Sequence, residues 1–369
     1  MMRQIMFASK ERANKNKICR KLRTLILAGT AAAVLFAGCG KAPEKNSAAY
    51  DKAVTALESG DYETAMTQFK TAIDQDSRKA EAYRGEGIVY MNQGEYASAV
   101  TMFERSLDTW ERDGSDKAFK EDVQYYLAEA YAECGRQEEA LALYTELANG
   151  LTPDRAYLMR GKAYASWQDL DNATADFDRV ITEMPSYENC IQIYEILADA
   201  SREADGAAYL SYALEHKISN NEDYYNQGLI YYYLGNYEDA RKNLQTAADM
   251  GSLDAVILLG KVCIDNNDTA AAREAYQKLV NDEENRATAY NGLALCDMAD
   301  GDYDAALLDI SKGIAENNPE VTESLLFNEI VIYERMLDFN MAKQKMQAFV
   351  EKYPDNAAAR RENLFLASR

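Results

Sequence analysis

A small alanine followed four residues later by a large apolar side chain returns along this chain with a period near 34 residues. The pairs are Ala65/Phe69, Ala99/Phe103, Ala140/Tyr144, Ala173/Phe177, Ala240/Leu244, Ala272/Tyr276, Ala306/Ile310 and Ala342/Met346. Successive alanines lie 34, 41 and 33 apart up to Ala173, and 32, 34 and 36 apart from Ala240. The 67-residue gap between those two runs holds one further unit, for which Ala208/Tyr212 is the nearest match, giving about nine units. A repeat this short buries its apolar face only against its neighbours, so the chain must stack into an array. The length of 369 residues, which would otherwise suggest two or three globular domains, counts repeats instead.

A glycine stands five residues before the alanine in Gly60-Asp61-Tyr62, Gly94-Glu95-Tyr96, Gly235-Asn236-Tyr237 and Gly301-Asp302-Tyr303. Glycine accepts the left-handed backbone that ends a helix, and the Asp or Asn after it can cap the next one. Each unit therefore reads as helix, tight turn, helix. Gly87, Gly161, Gly228 and Gly260 fall inside the first helix, where glycine costs about 1 kcal/mol in propensity, so close packing of two helices is the expected reason for them. Tyr90, Tyr131, Tyr164, Tyr231 and Tyr333 share one position of that helix. Proline inside a helix costs roughly 3 kcal/mol, and Pro153, Pro185, Pro319 and Pro354 all fall at junctions between units. Between the second and third units the run ERDGSDK is extra and is expected to protrude as a loop.

With alanine, glycine, tyrosine, aromatic and proline positions in one register, the chain resembles the tetratricopeptide repeat family over about residues 46–355. The resemblance implies an all-α fold, a right-handed superhelical solenoid of about nine helix-turn-helix repeats. Residues 48–355 form the array, and residues 356–369 (NAAARRENLFLASR) read as a helix that caps its last face. In that family the first helices line a concave groove, with positions 2, 5, 9, 12 and 13 of each repeat pointing into it. Carried onto this sequence, those positions give Tyr225, Leu229, Tyr232 and Tyr233 in the sixth unit, Tyr125 and Glu129 in the third, and Arg84, Ile88 and Met91 in the second. Three tyrosines and a leucine on one stripe suit a partner peptide or helix. Members that clamp acidic C-terminal peptides use Lys or Arg at position 5 with Asn at position 9; here the pairs read Tyr50/Val54, Arg84/Ile88, Tyr125/Glu129 and Tyr225/Leu229, so that clamp is absent.

The N-terminus has a different character. Arg20, Lys21 and Arg23 precede the apolar run Leu25–Phe36, and Ala37-Gly38-Cys39 follows it. That order is a basic region, an apolar core and a small-residue cleavage site. Twelve helical residues span roughly 18 Å, short of the ~30 Å hydrocarbon core, so a permanent span is disfavoured. LFAGC resembles the lipobox of bacterial lipoproteins, which implies that residues 1–38 are a signal peptide and that Cys39 is acylated and becomes the new N-terminus. Two acyl chains anchor stably where one would not. Residues 39–47 then form a short linker, and the expected location is the extracytoplasmic face of a cell membrane, with the lipid as the only membrane contact.

After residue 38 the chain carries 32 Lys/Arg against 60 Asp/Glu, a net charge of −28, with no local basic patch expected beyond residue 40. Such a body repels phosphate backbones, which argues against nucleic acid and favours a basic or apolar-aromatic ligand. The only histidine is His216, near a helix C-terminus, so no Ser-His-Asp or Cys-His arrangement can be built on another. Cys134, Cys190, Cys263 and Cys296 form no CxxC pair, so no metal site is expected; buried free thiols are, with a disulfide as the alternative. No glycine-rich phosphate loop, HExxH, GxSxG or EF-hand pattern occurs. The sequence therefore points to a non-enzymatic, cofactor-free, lipid-tethered scaffold that recruits proteins of envelope assembly, secretion or wall turnover. The alternative is a component that binds a peptide or cell-wall fragment for a transporter or sensor.

Overall fold

The computed structural model describes residues 48–113, 116–353 and 356–367, so the signal peptide, Cys39 and the linker lie outside the described residues. Every regular element among the described residues is a helix. Five hairpins begin in the first compact unit, which ends at Tyr209: α1 (Ala48–Glu58) with α2 (Tyr62–Asp74), α3 (Lys79–Asn92) with α4 (Tyr96–Asp113), α5 (Lys117–Glu133) with α6 (Gln137–Leu147), α7 (Pro153–Ser166) with α8 (Leu170–Glu183), and α9 (Tyr187–Asp199) with α10 (Glu203–Ala213). The second unit starts within α10, at Leu210. It holds α11 (Asn221–Tyr233) with α12 (Tyr237–Asp249), α13 (Leu253–Asp265) with α14 (Thr269–Leu279), α15 (Arg286–Asp300) with α16 (Tyr303–Ala315), α17 (Pro319–Arg335) with α18 (Phe339–Lys352), and a last helix, α19 (Ala357–Ala367).

The turn inside every hairpin contains one residue with positive φ: Gly60, Gly94, Gly135, Gln168, Ser201, Gly235, Asn267, Gly301 and Leu337. Among the described residues this backbone mark counts nine repeats independently of the alanines. The residue after it donates its N–H to a carbonyl five residues back, as Glu95 to Tyr90 and Asp338 to Tyr333, both at 2.9 Å. That is the bond that closes a helix ending in the left-handed conformation. The same residue caps the second helix where it is Asp or Asn: Asp61 Oδ1 accepts from Thr64 N at 3.0 Å and Asp302 Oδ1 from Ala305 N at 3.1 Å.

Two expectations need correction. The left-handed residue of the fifth repeat is Ser201, so its small position is Gly206 and its large one Leu210, which is fully buried, while Ala208 and Tyr212 are exposed. Glycine stands where alanine was sought because a Cβ there would come within 2.9 Å of the Tyr194 ring. The ERDGSDK run does not simply protrude either: α4 continues to Asp113 and α5 begins at Lys117. Lengthening two packed helices keeps their backbone groups hydrogen-bonded, whereas a loop would leave them to water. Lys120 of α5 sits 5.6 Å from the Trp110 ring of α4 and ties the extension together.

The core of each unit is made of the repeat positions themselves. Phe69, Phe103, Tyr144 and Phe177 are at most 1% exposed in the first unit, as are Leu244 and Ile310 in the second. Full burial of each is worth roughly 1.5–3 kcal/mol. Room for these rings comes from the helical glycines, as expected: a Cβ on Gly87 would meet Phe103 at 2.4 Å, on Gly161 Phe177 at 2.4 Å, on Gly228 Leu244 at 2.6 Å and on Gly260 Tyr276 at 2.5 Å. Pro153 and Pro319 open α7 and α17, where a missing N–H leaves no helical bond unmade.

Candidate protein-binding surface

The first helices of neighbouring repeats lie side by side, so residues about one period apart meet. In the first unit Arg84, Ile88 and Met91 form one stripe of α3. Arg84 is 3% exposed; its Nη1 donates to Asp122 Oδ2 of α5 at 2.8 Å, and its guanidinium lies 5.1 Å from the Phe119 ring. Arg155 of α7 reaches the other oxygen of Asp122 at 3.6 Å, and its guanidinium stacks 4.1 Å over Tyr125. One carboxylate thus serves two cations and joins three helices. Tyr125 is buried and donates its hydroxyl to the Thr152 carbonyl at 2.7 Å. Burial raises the pKa of Tyr125 and of its neighbour Tyr126, so both phenols stay neutral. Lys162 of α7 pairs with Glu129 of α5 at 2.7 Å. Ile88 and Met91 are half-exposed and rest on the cluster that contains Val100 and Phe103.

The second unit repeats the plan with aromatic residues. Tyr225, Leu229 and Tyr232 follow one another at four and three residues on α11, with Tyr233 beside them. Leu229 and Tyr232 are each 3% exposed, and the Tyr232 hydroxyl donates to Asp265 Oδ2 of α13 at 2.7 Å. Lys261 Nζ approaches the same oxygen at 3.4 Å and lies 5.6 Å from the Tyr232 ring. Tyr225 and Tyr233 are half-exposed, and the Tyr233 ring lies 6.1 Å from that of Tyr232. Between α15 and α17, Asn328 Nδ2 donates to Asn291 Oδ1 at 2.8 Å.

The eight stripe residues therefore divide evenly. Arg84, Tyr125, Leu229 and Tyr232 are buried, and Arg84, Tyr125 and Tyr232 each bond a neighbouring element. Ile88, Met91, Tyr225 and Tyr233 keep part of their surface open. Sequence reasoning missed Asp122 and Asp265, the carboxylates that organise the two stripes. Their signal was a spacing of 38 from Arg84 and of 33 from Tyr232.

The chemistry of the remaining reactive side chains is quiet. Cys190, Cys263 and Cys296 are buried and Cys134 half-buried, all as free thiols. Burial raises the thiol pKa to about 11 at Cys190 and about 12 at Cys296, which keeps both protonated. His216 follows α10 with its ring edge-on to Tyr212 at 5.4 Å. Among the described residues no group of three or more His, Cys, Asp or Glu is placed to hold a metal ion, and no helix is long and apolar enough to cross a membrane.

Family models agree with the repeat reading. Family models described as tetratricopeptide or TPR repeats match residues 55–94, 78–152, 154–187, 225–287 and 258–320, together more than half of the chain. No curated protein sequence matches it. Among solved structures, a tetratricopeptide repeat protein from Parabacteroides merdae is 17% identical over 68% of this chain and 98% of that one, with a TM-score of 0.37. Yeast Tom70 is 14% identical over 87% of each chain with a TM-score of 0.40, and the Cut9-Hcn1 hetero-tetramer of the APC/C is 16% identical over 88% of this chain and 63% of that one, at 0.38. Such arrays generally bind protein or peptide partners. With nine hairpins among the described residues, glycines that seat the facing rings, and repeat models matched in both units, this chain belongs to the tetratricopeptide repeat family.

Proposed function

We propose that the chain is a non-enzymatic recruiting scaffold, tethered by lipid on Cys39 to the extracytoplasmic face of a membrane, that holds a protein or peptide partner along the first helices of its repeats. The observation that carries this reading is the half-exposed pair Tyr225 and Tyr233, set on a stripe that the Tyr232–Asp265 bond holds rigid. Aromatic side chains with one open face supply contact area at low entropic cost, as binding anchors do. Ile88 and Met91 offer a second, aliphatic strip in the first unit. Buried Arg84, Tyr125, Leu229 and Tyr232 take part by fixing where the open residues stand. A net charge of −28 beyond residue 38 selects basic or apolar-aromatic segments over acidic ones. Partners in envelope assembly, secretion or wall turnover follow from the proposed location.

The test uses the full chain in its own membranes. A photo-cross-linker at position 222, exposed one turn before Tyr225 on α11, should capture one discrete partner, and Tyr225→Ala with Tyr233→Ala should lose it while the helical circular dichroism stays unchanged. Undiminished capture by the double variant would remove this surface from the proposal. Tyr232 is left intact because it is structural. In the same cells Cys39→Ser should move the chain from the detergent phase to the aqueous phase; retention in the detergent phase would rule out the tether.

A further inference from the structure

The two ends of the array differ in charge. Residues 48–77, the first repeat, carry six acids and two bases, whereas α19 carries Arg360 and Arg361 against the single acid Glu362. Arg360 and Arg361 are thus adjacent, exposed bases on an otherwise acidic protein. On α19 the buried side is Ala359 and Leu366, both 0% exposed, packed on Ala342, Met346 and Phe349. Its outward side is Arg360, Arg361, Leu364 and Phe365, residues paired at four-residue spacing, with Leu364 75% exposed and Phe365 40%. Arg360, Asn363 and Leu364 line an open hollow of about 390 Å³ against Val350.

The first repeat offers the complement. Asp51, Thr55 and Glu58 share a face of α1, and Asp51, Thr55 and Ala56 line a hollow of about 460 Å³ completed by Thr64 and Gln68 of α2. Lys52 also lines it, but the repeat as a whole stays acidic. We infer that α19 of one copy docks on the α1–α2 face of a second copy, continuing the array from chain to chain, with Leu364 in the hollow and Arg360 and Arg361 facing Asp51 and Glu58. A head-to-tail contact of this kind is heterologous and builds open filaments or rings rather than a closed two-fold dimer. A contact made by one 11-residue helix falls below the roughly 1,200 Å² of a stable interface, so it is weak and concentration-dependent, suited to chains crowded on one surface. This contact is independent of the partner reading above.

Sedimentation of the full chain in detergent tests it. The weight-average protein mass should rise above that of one mature chain as concentration increases, and fall back towards it at 0.5 M salt. Leu364→Glu, or Arg360→Glu with Arg361→Glu, should hold the mass at one chain while the melting curve keeps its wild-type shape. Mixing the Arg360→Glu/Arg361→Glu variant with an Asp51→Lys/Glu58→Lys variant should restore association, each alone being monomeric. A chain that stays monomeric at every concentration overturns the inference. Association unaffected by the α1 changes does so too, since it would mean an isologous contact. Monomers of Cys39→Ser that float with anionic phosphatidylglycerol vesicles through Arg360 and Arg361 would assign the patch to membrane instead and equally overturn it.

Discussion

At the scale of single residues, the decisive pairs are a glycine on the first helix and the large side chain that fills its place. Helix propensity alone says that Gly161→Ala should stabilise α7 by about 1 kcal/mol. The structure says the reverse, because the new methyl would lie 2.4 Å from Cε1 of Phe177, a ring that is itself fully buried and cannot swing aside. Overpacking of a tight core costs typically 1–3 kcal/mol, so packing outweighs propensity. Gly161→Ala should lower the urea midpoint, and Phe177→Leu in the same chain should recover part of the loss. An alanine variant as stable as the wild type would show that the helices separate without cost. This feature was legible in the sequence, since the glycines and the rings stand at fixed offsets. What could not be read was the fifth repeat, where Gly206 and Leu210 replace the usual alanine and aromatic while a misleading Ala208/Tyr212 pair sits two residues further on. Only the left-handed backbone at Ser201 sets the register there.

At the scale of helices, repeats are held side by side by buried polar ties as well as by apolar surface. Asp122 between Arg84 and Arg155 is the most enclosed of these in the first unit, with side chains of Arg84 and Asp122 4% and 11% exposed. Removing one member of such a pair leaves a buried charge without its counterion, which costs about 3–5 kcal/mol, whereas replacing both by apolar groups of similar volume is often neutral. Asp122→Leu should therefore destabilise strongly, and Arg84→Met with Asp122→Leu should regain most of the loss in denaturant titrations. A double variant no better than the single would mean that Arg155 and the Arg84 contact with Phe119, not the pair, dominate. The same ties explain why the candidate surface was only half legible. A repeat template says which positions of a first helix face the groove, but whether such a side chain is open depends on its neighbour one period away. Arg84 and Tyr232 are buried because Asp122 and Asp265 happen to stand there, and no pattern within one repeat reports that. The length of α4 escaped for a related reason: ERDGSDK has the composition of a loop, yet its first residues continue a helix that Trp110 and Lys120 hold in place.

At the scale of the whole chain, the excess of acid acts against the fold that the repeats build. Beyond residue 38 there are 28 more acidic than basic side chains, and most of the ion pairs that offset them are partly exposed, in the class worth about 0–1 kcal/mol each. Arg136–Glu139, Arg179–Glu183 and Arg202–Asp205 are examples, each with both side chains at least 44% exposed. Self-repulsion therefore exceeds attraction, and its range shortens as the screening length falls from about 10 Å at 0.1 M salt to about 3 Å at 1 M. The buried ties at Asp122 are screened far less and keep their strength. Sodium chloride should accordingly raise the melting temperature between 0.02 and 0.5 M, by roughly the few degrees that 1 kcal/mol brings in a domain of this size. The rise should be smaller in a variant in which several exposed acids of one unit are changed to Gln. A melting temperature that falls with salt would mean that the surface ion pairs, not the net charge, govern stability, and the acidic bias would then need a functional rather than a colloidal explanation.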